Sequence, residues 1–331
     1  MKAKITISEQ TEATDTLLYE LARHISSSKR VLVITGAGIS CSSGIPDFRS
    51  SNGLYDLIKK KYPNTVLRGQ DLFNAHLFRD QHQTKCFYTF MAELKSVVSA
   101  AEPTPTHLFI RTLQENGQLM RYYTQNIDCL EDALKLSVVR LHGTINRVKC
   151  TLCTASFDFT SDYQESFRNG LPPSCPQCVL FDHERSKRGK RSLSTGILRP
   201  NIVLYNEAHP EGDMIGKLQR MDLKRKPDLM IIMGTSLKIP ALRKFIKEAA
   251  KLIHHSSKKG KVVFINKTAP TKEWDAVFDY EILGDTDDWV NLTQDKLNCI
   301  RECRHKPHFL DNAKVVIKKR FKKGSHSRDL K

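Results

Sequence analysis

The chain has 331 residues, 40% of them hydrophobic and 27% charged, an ordinary composition for a soluble globular protein with one large core or two modest ones. No apolar run approaches the roughly 20 residues of a membrane helix, and the opening MKAKITISEQTEATD lacks the apolar core of a signal peptide, so neither membrane insertion nor secretion is expected. With 53 basic against 36 acidic side chains the formal net charge is +17, which favours polyanionic partners: nucleic acid, chromatin or an anionic ligand.

Segment 15–28 carries Leu17, Leu18, Leu21 and Ile25 at helical spacing. Val31 to Ile34 follows as an unbroken apolar run and predicts a buried parallel strand over 30–35. Gly36-Ala37-Gly38 comes at once. Two glycines one residue apart let backbone approach a ligand closely with N–H groups facing it, as at the start of a nucleotide-binding α/β domain. The dehydrogenase fingerprint has a third glycine three residues after the second, but position 41 is Cys and the next glycine is Gly44. Gly44 to Ser50 then sets Asp47, Phe48 and Arg49 on a loop stiffened by Pro46, suited to cover a ligand.

Segment 85–101 repeats the helical spacing through Phe87, Phe90, Met91, Leu94 and Val97, and Thr106 is placed to cap a helix over 107–115 that ends at Asn116-Gly117. Further strands are expected over 119–124, 228–233, 261–265 and 280–283. Strands alternating with helices predict an α/β fold, a doubly wound parallel sheet of Rossmann-like type. Ligands of such sheets sit outside the carboxyl ends of the strands. The residues falling there are Gln125-Asn126-Ile127-Asp128, His142, Gly234-Thr235-Ser236 and Asn266. An amide pair and a carboxylate can bind ribose hydroxyls and a carboxamide, and an amide at Asn266 can serve where an acid usually holds the adenosine ribose. A lone histidine is more often a packed residue than a catalyst, yet a neutral imidazole is the commonest general base near neutral pH.

Residues 144–196 break the alternation. Cys150-Thr151-Leu152-Cys153 and Cys175-Pro176-Gln177-Cys178 stand 21 residues apart, near the spacing of a four-cysteine zinc site. Each pair is a tight knuckle that aims two thiolates at one ion, and a closed four-thiolate site has a structural role. A redox role for one pair is the weaker alternative. Cys41, Cys86, Cys129, Cys299 and Cys303 have no such pairing and read as small core or surface residues. Arg185, Lys187, Arg188, Lys190 and Arg191 form one basic run, and Lys314, Lys318, Lys319, Arg320, Lys322 and Lys323 another. They are solvated charge runs or, on the sharper reading, nuclear-import and chromatin-docking segments. The expected organisation is an N-terminal segment 1–14, a Rossmann-like domain 15–143 and 197–300, an inserted zinc module 144–196 and a basic tail 301–331, in which Val315-Val316-Ile317 is the one apolar stretch.

Taken together, Gly36-Ala37-Gly38-Ile39-Ser40, Gly44 to Ser50, Gln125 to Asp128, His142-Gly143, the four paired cysteines, Gly234-Thr235-Ser236 and Ile265-Asn266 resemble the sirtuin family, the NAD-dependent protein lysine deacylases, over about residues 15 to 295. The resemblance implies NAD+ as co-substrate and one structural Zn2+. It implies that Gly36, Ala37, Gly38 and Arg49 hold the pyrophosphate side of NAD+, that Asp47 and Phe48 belong to a mobile cofactor loop, and that Phe48 shields the reactive ribose carbon. Asn126 and Asp128 would position the nicotinamide ribose and carboxamide, with His142 as general base. Ser40, Tyr55, Gln125, Ile127, Gly234, Thr235, Ser236, Asn266, Lys267 and Thr286 would complete the cofactor contacts. The substrate's acetyl oxygen would attack the ribose carbon as nicotinamide leaves, giving deacetylated lysine, nicotinamide and O-acetyl-ADP-ribose.

Gly196 to Glu207 looks like the family's substrate segment, where an extended peptide adds as a strand. Asn206 stands where glycine is usual, and asparagine is the next most tolerant of positive φ. Gly284-Asp285-Thr286 is a second departure, with Thr286 where many relatives have cysteine. Ile197 to Tyr205, the basic insert and the Lys-rich ending look most like the fungal nuclear sirtuins. That implies an acetylated histone substrate, modified at a core lysine, with a role in silencing on chromatin. The alternatives are removal of other acyl groups, ADP-ribosyl transfer, or a catalytically weak zinc-bearing chromatin binder.

Overall fold

The computed structural model describes residues 2–305, apart from 10, 64, 66, 67, 257 and 258, with backbone alone for 303–305. The basic tail beyond 305, the side chain of Cys303 and the Val315-Val316-Ile317 stretch lie outside the described residues. Among the described residues ten strands follow in chain order: β1 Ala3–Thr6, β2 Val31–Thr35, β3 Leu119–Thr124, β4 Val138–Arg140, β5 Gly143–Cys150, β6 Ser156–Asp158, β7 Leu198–Ile202, β8 Leu229–Met233, β9 Lys261–Asn266 and β10 Tyr280–Leu283. Seven make a parallel sheet in the order β1-β10-β9-β8-β2-β3-β4, and three make a small antiparallel sheet in the order β6-β5-β7.

From β4 through β10 the large sheet has the doubly wound order. The chain leaves β2 toward β3 and β4 on one side and returns as β8, β9 and β10 on the other, so the crevice opens between β2 and β8. Burial on both faces explains the unbroken apolar strands. Val31, Val33, Leu229 and Ile231 face one core with the helices Glu12–Ser27, Pro105–Glu115 and Thr286–His305. Leu32, Ile34, Met230 and Ile232 face the other with the helix Pro240–Ser256. Register aligns the strand ends: Thr35 pairs with Thr124 and with Met233, and Met233 pairs with Ile265. Every polar group one or two residues beyond those ends is thereby delivered to one edge. Among the described residues no helix is long and apolar enough to cross a membrane.

Three details differ from the sequence expectations. The fourth helix begins at Pro105, not 107, and its cap is Thr104, with which the N3 residue His107 forms a reciprocal capping box. Thr106 instead donates its backbone N–H to Asp287 at 3.0 Å, and its hydroxyl bonds the same carboxylate. Proline at the first helical position was the overlooked signal. Second, β1 adds to the sheet edge beside β10, so the opening segment is part of the large sheet. Third, β7 pairs with β5 rather than with any strand of the large sheet, so 198–202 belongs by hydrogen bonding to the small one. A third apolar cluster joins that sheet to the helix Gln81–Ser99 through Phe87, Tyr88, Phe167 and Leu198.

Candidate active site

The crevice is closed at its base by backbone touching backbone. Gly36 N–H donates to Met233 O at 3.0 Å and Gly38 N–H to Gly234 O at 2.9 Å. A Cβ at Gly38 would lie 2.7 Å from Gly234 Cα, and one at Gly234, whose φ is +62°, would lie 2.6 Å from Ile39 N. Only glycine permits this approach. A short helix, Ala37–Ser43, follows, and Gly44 ends it. Cys41 falls inside that helix, so the spacing that departs from the dehydrogenase pattern builds a different turn.

Above the crossing lies a cavity of about 820 Å³. Its lining gathers Gly36, Ala37, Gly38, Asp47, Phe48, Arg49, Tyr55, Gln125, Asn126, Ile127, His142, Gly234, Thr235, Ser236 and Lys267 from the candidate set. Ala37, Phe48, Asn126, Ile127 and Asp128 also line a small adjoining void of about 20 Å³. Ser40, Asn266 and Thr286 line neither. Ser40 is buried behind Asp128, Asn266 turns its amide onto Thr268, and Thr286 is buried at the start of the last helix.

His142 stands at the corner where the chain passes from the large sheet to the small one. The next residue, Gly143, has φ +80°, and a Cβ there would lie 2.2 Å from Asn201 O. His142 Nδ1–H donates to Gln125 O at 2.8 Å, which leaves Nε2 as the lone-pair nitrogen. Burial lowers the imidazole pKa below its ordinary value, against the opposing pull of the Gln125 carbonyl. The ring is therefore neutral near pH 7 and equipped as a proton acceptor.

Gln125 donates its amide hydrogens to Thr35 O at 3.0 Å and Thr235 Oγ1 at 2.8 Å, so it ties β2, β3 and β8 together. Asn126 Nδ2 donates to Ser40 Oγ at 3.1 Å, and Ser40 donates on to Asp128 Oδ2 at 2.7 Å. Asn126 Oδ1 is buried without a partner among the described residues. A buried carbonyl of that kind is satisfied by a ligand hydroxyl or amide. Burial raises the Asp128 pKa, opposed by Ser40 and the Leu130 N–H.

The loop 44–53 forms the roof. Asp47 Oδ1 accepts the N–H groups of Arg49 at 2.7 Å and Ser50 at 2.8 Å, and those bonds outweigh burial to lower its pKa. Phe48 packs edge-on against Tyr55 and Phe73, with ring centroids at 5.7 and 5.4 Å. Arg49 Nη2 donates to Tyr205 OH at 2.7 Å, so the cofactor loop touches the expected substrate segment directly.

That segment is less free than its sequence implies. Tyr205 N–H donates to Phe73 O and its C=O accepts from Ala75, at 2.8 and 2.9 Å. Val203 N–H donates to His142 O at 2.9 Å and Leu204 N–H to Glu207 Oε1 at 2.8 Å. Asn206 has φ +62°, the left-handed turn that asparagine tolerates. Val203 to Asn206 lines the cavity beside His142. Sequence reading missed a further part of the lining, Gly212, Ile215, Gly216 and Gln219 of the helix Gly212–Lys224, which no local motif marks.

The four paired cysteines converge. Their Sγ atoms lie within 4.8 Å of one another, with Cys150 to Cys178 at 3.7 Å and Cys153 to Cys175 at 3.6 Å. Sulfurs bound tetrahedrally to one zinc at ~2.3 Å stand about 3.8 Å apart, so the set fits Zn2+. Leu152 and Cys153 N–H groups point at Cys150 Sγ, as charged thiolates require. With all four positions filled by protein, the metal is structural.

Comparison with known proteins agrees with this arrangement. A profile of the Sir2 family matches residues 36–241. The chain is 41% identical over 308 residues to the NAD-dependent histone deacetylase HST3 of Candida albicans, covering 86% of this chain and 63% of that protein. It is 39% identical over 329 residues to HST3 of Saccharomyces cerevisiae, covering 88% and 73%. The chain thus spans less than two thirds of the first relative's length. Among solved structures, a Sir2 homologue in complex with NAD superimposes with a TM-score of 0.64 at 26% identity, over 85% of this chain and 94% of that one. A second, described as bearing on the mechanism and regulation of Sir2 enzymes, gives 0.65 at 25% identity, over 86% and 99%. The doubly wound crevice, the cysteine cluster and the profile match over most of the chain lead to one conclusion: this protein belongs to the Sir2 family, whose cofactors are NAD+ and a structural zinc.

Proposed function

We propose that the protein is an NAD-dependent lysine deacetylase acting in the nucleus on acetylated histone, at a core lysine. The observation that carries the reading is His142: a neutral imidazole with Nδ1 tied to Gln125 and Nε2 left free, on a cavity walled by the glycine crossing and by Val203 to Asn206. The names of the relatives, histone deacetylases, support the substrate class. When bound, NAD+ supplies an electrophilic ribose carbon with a leaving group that is already cationic.

The protein's part is then orientation and exclusion of water. Gly36, Ala37, Gly38 and Ser236 are the candidates to hold the phosphates and ribose. Asn126 Oδ1 is the free acceptor for a hydroxyl or amide. Phe48, Tyr55 and Phe73 form an aromatic wall against water. His142 Nε2 is the atom that would accept a proton from a ribose hydroxyl, and Arg49, held at the cavity by Tyr205, is the cation that would meet a phosphate. The experiment is turnover of acetylated, succinylated and long-chain-acylated histone peptides with and without NAD+. Acetyl-lysine removal that requires NAD+ is expected; turnover without NAD+, or preference for another acyl group, sinks the reading.

Chromatin docking is proposed through the basic insert. Lys187, Arg188, Lys190 and Arg191 are all exposed, at and beyond the end of the helix Pro176–Lys187. Nucleosome affinity is expected to fall about tenfold or more between 50 and 200 mM salt, as phosphate contacts release counterions. Affinity indifferent to salt in a gel-shift titration contradicts it.

A further inference from the structure

His107 and Glu131 line neither cavity, yet both lie against Asp128. His107, Asp128 and Glu131 are 0%, 5% and 0% exposed, and their ligating atoms lie within 4.8 Å of one another. His107 Nε2 and Glu131 Oε2 are both buried with no hydrogen-bond partner among the described residues. An unpartnered buried carboxyl oxygen this close to a second carboxyl calls for a proton held by the pair.

A metal ion is the poorer answer. Thr104 N–H donates into His107 Nδ1 at 3.2 Å within the capping box, so Nδ1 carries the lone pair and Nε2 carries the hydrogen. A ring nitrogen that carries its hydrogen is a donor, not a ligand, and the lone-pair nitrogen is already taken by Thr104. Burial holds that imidazole neutral, lowering its pKa to about 4.

The remaining neighbours come from every element packed there. Tyr122 of β3 donates its hydroxyl to Glu131 Oε1 at 3.0 Å. Ser40 donates to Asp128 from the short helix, and Leu130 N–H approaches Asp128 Oδ1 at 3.3 Å. Arg140 of β4 is the nearby cation: its Nη2 is engaged by Asp132, its Nε is buried without a partner among the described residues, and its charge draws both carboxyl pKa values down against burial. Cys129 is buried beside Thr144, and Asp287 of the last helix faces His107 while bound by Thr106. Among the described residues no cation bonds the two carboxyls directly. Burial first, and the Asp128 charge next, push the Glu131 pKa up to about 7.

We infer that Asp128 and Glu131 share one proton, carried on Glu131 Oε2, and that Glu131 is a positioning residue for the Asp128–Ser40–Asn126 chain. This rests on the proposed role of Asn126 and Asp128 in the reaction. With the proton in place, one negative charge is buried, Asp128 accepts from Ser40, and Asn126 stays aimed into the cavity. When Glu131 loses the proton, a second buried charge repels Asp128 and disturbs that chain.

The test is the pH dependence of kcat/KM for NAD+ with an acetylated histone peptide, for wild type and Glu131→Gln. The wild-type value is expected to fall about fivefold or more from pH 7 to pH 9, through loss of the shared proton. In Glu131→Gln the ratio between those two pH values is expected to stay within about twofold, because a carboxamide keeps donating and cannot ionise. The wild-type alkaline limb persisting in Glu131→Gln overturns the proposal. Infrared spectroscopy of the folded wild type supplies a readout independent of activity and of the variant's folding: a protonated-carboxyl band at pH 6.5 that vanishes by about pH 9. A missing band overturns the proposal even in an active enzyme. A band with no deacetylation removes the functional reading and leaves the shared proton standing.

Discussion

His142→Ala is expected to lower kcat on an acetylated histone peptide by about 10²- to 10⁴-fold, the usual contribution of a positioned general base. NAD+ affinity should change little, because the residues that close the cavity base are glycines, not His142. The pH profile carries the same logic. Burial lowers the His142 pKa, so the base is already deprotonated at pH 7, and activity falls on the acidic side only below the ordinary histidine value of about 6.5. Steady-state kinetics and NAD+ calorimetry on one preparation decide it. A variant that keeps wild-type kcat removes His142 from the chemistry, whereas one that loses NAD+ binding as well reassigns it to the cofactor.

Zinc removal is expected to have the largest effect on stability. Structural zinc contributes on the order of 10 kcal/mol of apparent binding free energy in small folds, all of it coupled to folding. Cys150 ends β5 and pairs with Leu198 of β7, so the metal clamps the start of the segment that continues to Val203, Leu204 and Tyr205. Chelation, or Cys175→Ala, should lower Tm by about 10 °C or more and raise the peptide KM more than the NAD+ KM. The glycine crossing lies in the other sheet and keeps its own support. Differential scanning calorimetry with zinc quantified in the sample checks it; an unchanged Tm after verified zinc loss rejects the structural role.

Much of the fold was readable because its signals are local. Strands buried on both faces have to be apolar runs: β2, β8 and the middle of β9 carry that mark, and β3 and β10 keep it apart from Arg121 and Glu281. The three-residue β6 is too short to carry periodicity, and β1, whose AKIT has no apolar run, has meaning only as a partner of β10. Likewise, nothing local to Leu198–Ile202 says which sheet it joins. Within the site, glycines and cysteines announced themselves by spacing. Tyr205, His107 and Glu131 did not, since each acts on a partner distant in sequence or buried by other elements.

The sequence by itself determined which residue types reach the strand ends, that four thiols would meet one ion, and that the nucleotide turn is not a dehydrogenase turn. Those follow from short-range constraints: side-chain alternation, knuckle spacing and glycine placement. Only the tertiary structure decided that Gly38 touches Gly234, that Gln125 is a brace while Asn126 keeps a free oxygen, that Arg49 rests on Tyr205, and that Asp128 has a second carboxyl beside it. The reason is physical. Hydrogen-bond partners and the burial that shifts a pKa depend on what the remainder of the chain packs against a residue, and that is set by sheet order and register rather than by its sequence neighbours.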